Sequence, residues 1–84
     1  MYITEQKLID RKARVVFSEN VQRILREMGR SVNWLHEETG LNLNRIYPAV
    51  AGETNVSAGV LAIIASVLNV KVDDLIPVAA IVPS

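Results

Sequence analysis

Sixteen residues constrain this chain more than the rest: Ser31-Val-Asn-Trp-Leu-His-Glu-Glu-Thr-Gly-Leu-Asn-Leu-Asn-Arg-Ile46. Ser31 carries a hydroxyl that can cap a helix start. Val32, Leu35 and His36 fall on the inward face of that helix, and Thr39-Gly40 stops it after two turns. Asn42 caps a second helix, with Ile46 as its clearest core residue. A gap of about three residues between two helices forces a sharp angle. Gly40 meets that demand, because the turn needs a positive φ or a close approach. Leu35, Leu41 and Ile46 are then placed to bury the inner corner. The second helix is left with its N-terminal end pointing outward.

The flanking sequence supplies the rest of a small helical domain. Residues 4–16 read as helix, with Thr4 as a possible cap, Glu5 at the positive dipole end and an apolar stripe of Leu8, Ile9, Val15 and Val16. Ser18-Glu19-Asn20 either caps a separate helix or lies inside one running to Met28, since nothing obliges a break before the first proline, Pro48. Val21, Ile24, Leu25 and Met28 follow the period of one buried face, and Gly29 ends the helix. Ser57 caps a strongly apolar helix through Leu68. A short helix at 72–76 begins with Asp73 and Asp74, and Pro77 ends it. The tail, 77–84, reads as an extended segment. We expect an all-α single domain over 1–84: an N-terminal extension (1–17), a core (18–76) holding the motif (31–51), and the tail. Short loops and short helices make it an orthogonal cluster.

Composition narrows the function classes. Half of the 84 residues are apolar, enough for one core, though a domain this size is marginal alone. There is no cysteine. That excludes a disulfide framework and a thiolate metal site, and fits a reducing compartment such as the cytoplasm. One histidine gives neither a metal site nor general-base chemistry, and no phosphate-cradling glycine loop occurs, so we expect no enzyme, metal, cofactor or small-molecule ligand. No export signal or bilayer-spanning run is visible. Net charge is zero, but residues 1–30 hold seven bases against four acids, and residues 31–84 two against five. A basic N-terminal half can supply phosphate contacts; it is also what a solvated helix face looks like.

From about Asn20 to Ile76 the chain resembles the Cro and lambda-repressor type of helix-turn-helix regulators. The resemblance rests on Asn20, Leu25-Arg26-Glu27, Gly29, Ser31, Leu35, Thr39-Gly40-Leu41 and Ile46. It continues through Gly52, Ser57, Leu61, Ile64-Ala65, Leu68, Val70 and Asp73-Asp74-Leu75. It implies a five-helix lambda-repressor-like domain, operator binding on double-stranded DNA and often a homodimer. The helix starting at Asn42, expected over Asn42 to Val50, becomes the recognition helix, whose first residues enter a major groove. Expected base contacts are Leu43 (to a thymine methyl), Asn44 (to adenine), Arg45 (to guanine) and Tyr47. Tyr47 could equally donate to a phosphate or pack on the Pro48 ring. Expected phosphate contacts are Ser31, Asn33, Asn42, Thr54 and Asn55. Trp34 is expected half-buried against the N-terminal helix, and His36 to be structural.

Four positions depart from the family. Val32 and Leu43 replace a polar pair, and His36 stands where the family usually has Ala. Pro48 removes the N–H that would bond to the Asn44 carbonyl, at a cost of about 3 kcal/mol in a helix interior. We expect it to kink the recognition helix or shorten it to about Leu43–Tyr47. The helix after Ser57 carries a second apolar stripe, Val60, Ile63 and Val67. Together with Val78, Ile81 and Val82 of the tail, this predicts a homodimer interface. With no effector domain visible, the expected mechanism is operator occupancy by a prokaryotic or phage regulator. The alternative is a protein-interaction module, an antirepressor or adaptor, on the same scaffold.

Overall fold

A computed structural model describes residues 2–77, with side chains from residue 11 onward. The order is α1 (Tyr2–Met28), α2 (Val32–Thr39), α3 (Leu43–Val50), α4 (Ala58–Leu68) and α5 (Val72–Leu75). All elements among the described residues are helices. α1 packs on α3 and α5, α2 on α3 and α4, and α4 on α5. The expected strand-like tail at Val78–Pro83 lies outside the described residues.

α1 runs unbroken for 27 residues, about 40 Å at 1.5 Å per residue. It begins at Tyr2, so Thr4 is not its cap. Ser18 and Asn20 do not cap a second helix either. Their side chains make tertiary bonds instead. Ser18 Oγ donates to the Val50 carbonyl at 2.5 Å, and Asn20 Nδ2 donates to the Leu75 carbonyl at 2.8 Å. Gln22 Nε2 lies 2.9 Å from both Ser18 Oγ and the Val50 carbonyl. The last carbonyls of α3 would otherwise be orphaned; α1 satisfies one of them twice.

The core joins all five helices: Phe17, Val21, Ile24, Leu25, Leu35, Ile46, Ala49, Val50, Ile64, Ala65, Leu68 and Leu75. Among the described side chains of α1 the first buried one is Phe17, which lies in the segment expected to be a mere extension. Val15, placed in the apolar stripe, is exposed. It lies two residues from Phe17, about 200° around the helix. Met28 is also exposed; the helix ends there and Gly29 turns the chain away. On α4, Ile64, Ala65 and Leu68 are buried, and Leu61 is only partly so.

Three helices stop with the same device. At the end of α1 the Arg30 amide bonds to the Leu25 carbonyl (2.9 Å) and the Gly29 amide to Arg26 (3.1 Å). Gly52 plays the Gly29 role after α3, and Asn69, left-handed at φ 58°, plays it after α4. Gly52 has a second reason to be glycine: a Cβ there would lie 3.2 Å from Ser18 Cβ. Ser18→Ala removes a buried hydroxyl from this junction. It is expected to cost about 0.5–1.5 kcal/mol in urea unfolding, because one buried hydrogen bond is lost while Gln22 still donates to the Val50 carbonyl.

Candidate nucleic-acid interface

The turn between α2 and α3 is built as its residue types require. Ser31 Oγ accepts from the Trp34 amide at 3.1 Å, and Asn42 Oδ1 from the Asn44 amide at 2.8 Å. Gly40 is left-handed at φ 72°. Thr39 Oγ1 donates to the Leu35 carbonyl at 2.7 Å and accepts from the Leu41 amide at 3.2 Å. His36 Nδ1 donates to the Leu41 carbonyl. The histidine thus straps the turn together, which is the structural role expected of it. Leu35 and Ile46 are fully buried at the inner corner, and Leu41 is half-buried beside them.

α3 corrects the expectation about Pro48. The helix is neither cut at Tyr47 nor ended by the proline; it runs to Val50 with Pro48 inside. Burial of Ala49 and Val50 holds the last turn against the core. Bonds beyond the proline close it: the Ala51 amide to Tyr47 at 2.9 Å, and the Glu53 amide to the Pro48 carbonyl at 2.9 Å. The α1 side chains that bind the Val50 carbonyl add to this. The lost amide costs one bond; the packing on either side outweighs it.

The outer side of α3 divides in two. Asn44 and Arg45 are exposed and open onto one concavity with Pro48, Thr54, Asn55 and Ser57. The start of α3 and the loop after it are therefore brought together. Leu43 and Tyr47, one turn apart, do not line that concavity; Leu43 is half-buried and Tyr47 is 51% exposed. Asn42 is exposed, and with its oxygen held by the cap its Nδ2 hydrogens remain as donors. Ser31 lines a separate, shallow concavity with Gln22, Arg26, Arg30 and Val32. Its hydroxyl accepts the capping bond and keeps its own hydrogen to donate. Asn33 is exposed, but its amide already donates to Glu37 at 3.2 Å.

Arg30 was not among the expected contacts. Its guanidinium carbon lies 5.2 Å from the centroid of the Trp34 ring, which is half-buried. The attraction of a cation for an aromatic face holds it near the start of α2. The signal was legible: Arg26 and Arg30 are four residues apart and lead directly into the Ser31 cap. Arg23 is different, since it pairs with Glu27 at 3.4 Å on the exposed side of α1.

Residues 20–79 match the family model of the Cro/C1-type HTH DNA-binding domain. The chain belongs to that family. No curated protein and no solved structure matches it. Membership makes double-stranded DNA the implied partner of this Cro/C1-type domain. The match begins inside α1, so Phe17 and Ser18 stand outside it although both are buried in the core. None of the helices among the described residues is long and apolar enough to cross a membrane.

The stripe expected at a dimer interface is partly covered within the chain. Val60 and Val67 pack half-buried against the core, and Ile63 is 41% exposed. Val78, Ile81 and Val82 lie outside the described residues.

Proposed function

We propose that the chain is a sequence-specific double-stranded DNA-binding transcriptional regulator, a cytoplasmic repressor of prokaryotic or phage type that acts as a homodimer by occupying its operator. The observation that carries this reading is the concavity where Asn44 and Arg45 meet Thr54 and Asn55. A recognition helix needs side chains for base edges at its start and donors for phosphate close by. Asn44 and Arg45, with Leu43 and Tyr47 beside them, supply the first. Thr54 and Asn55, together with Asn42, Ser31 and Asn33, supply the second. Ile63 and its neighbours Val60 and Val67 would meet a second copy, setting two recognition helices about 34 Å apart, one turn of DNA.

The test is selection from a random duplex pool, followed by anisotropy titrations over a salt series. A selected sequence should bind far better than a scrambled one, with affinity falling steeply as salt rises. Arg45→Ala should weaken the selected duplex by about 1–3 kcal/mol and relax the preference at one base position. Failure to bind any duplex at low salt would sink this reading and leave the scaffold as a protein-interaction module.

A further inference from the structure

Between the N-terminal half of α1 and the α3–α4 loop lies a second depression. Phe17, Val56 and Ile76 give it apolar walls, and Arg14, Thr54 and Asn55 give it polar edges. The Arg14 Nε is shut off from solvent and has no hydrogen-bond partner, the one side-chain nitrogen or oxygen among the described residues in that condition. A buried charged donor without an acceptor is costly, and such groups are normally satisfied. Among the described residues no carboxylate lines the depression. The chemistry that completes it is an oxyanion: the guanidinium donates as a rigid fork, and the Thr54 hydroxyl and Asn55 amide can donate to the same group.

We propose that this depression is a phosphate subsite, and that the phosphate it takes is a backbone phosphodiester of bound DNA. Thr54 and Asn55 line both this depression and the Asn44–Arg45 concavity. A duplex lying against the second therefore brings a phosphate within reach of the first. The site depends on the upstream part of α1: Arg14 lies before the family match, which starts at residue 20. The helical extension thereby widens the footprint beyond the motif. The identity of the anion rests on the DNA-binding reading; the presence of an anion site does not.

The experiment uses the full chain as wild type, Arg14→Gln and Arg14→Lys, with thermal melts to confirm folding. In duplex titrations Arg14→Gln should weaken binding about tenfold and lower the salt slope by about one. Arg14→Lys should restore the slope, since it keeps the charge, but not the whole affinity, since it lacks the fixed Nε–H. Equal binding and equal slope for wild type and Arg14→Gln would overturn the phosphodiester assignment. If Arg14→Gln does not fold, Arg14→Lys decides: unchanged affinity overturns the proposal. If wild type binds no duplex, the function proposed above fails, and inorganic phosphate decides the site. A saturable shift of the Arg14 Nε–H resonance, weakened by Thr54→Val, supports an anion site; an unmoved resonance overturns it.

Discussion

Phe17→Ala is expected to destabilise the domain by about 3–5 kcal/mol, read as a lowered midpoint in urea or thermal unfolding. The ring is 1% exposed and is among the largest side chains the core encloses completely. Truncating it removes apolar contact and leaves a cavity, because the helices around it are also pinned by the Ser18 and Asn20 bonds to Val50 and Leu75. A small domain has only about 5–15 kcal/mol in total, so the loss is a large share of its stability and the midpoint should fall markedly. Val15→Ala is the control: that side chain is 45% exposed and its loss should change stability by less than about 0.5 kcal/mol. A loss below about 1 kcal/mol for Phe17→Ala would mean that the upstream part of α1 does not belong to the folding unit.

Pro48→Ala should do the opposite and raise stability by about 2–3 kcal/mol. Alanine restores the amide that can bond to the Asn44 carbonyl and relieves the ring's clash with it, worth about 3 kcal/mol in a helix interior. Part is given back, since proline also restricts the unfolded chain, by about 0.4–1 kcal/mol. The helix already runs to Val50, so no rearrangement is needed to collect the gain. An unchanged or lowered midpoint would mean that α3 is bent around the ring in a way alanine cannot use. Pro48 also borders the Asn44–Arg45 concavity. A variant that gains stability while losing DNA affinity would show that the ring helps shape the contact surface.

The local grammar of the fold is legible in the sequence. Ser31, Asn42 and Ser57 each cap the helix they were expected to cap, and Gly29 and Gly40 each end one. These are short-range effects, set by one side chain and a backbone group two or three residues away. Ser18 is ambiguous in the sequence because its two possible partners differ in range; of the two readings, the continuous helix to Met28 holds. A hydroxyl can cap the next turn or reach across the domain, and the distant Val50 carbonyl wins here. Phe17 was missed because it stands one turn before the clear Val21–Leu25 pattern. Pro48 was overestimated for a related reason: its local cost is fixed, whereas the burial of Ala49 and Val50 that offsets it is a tertiary effect. Asn44, Arg45, Thr54 and Asn55 line one concavity because a short helix and the loop after it stay close. Arg14 is hidden from a sequence reading, since only the path of α1 brings it beside the loop, whereas Arg30 stands next to the Ser31 cap in the sequence itself.

The stack of Arg30 on Trp34 has a practical consequence. Trp34 is the chain's lone indole, and it is placed one turn into α2 from the Ser31 cap with a guanidinium over its face. Emission from an indole responds to the charge beside it, so any ligand that draws Arg30 toward itself alters the light the protein gives off. The molecule thus carries an unlabelled optical gauge at one end of its proposed contact surface. Neither the Asn44 concavity nor the Arg14 depression is lined by Arg30 or Trp34. A titration that shifts DNA mobility without changing this emission would therefore locate the contact by elimination.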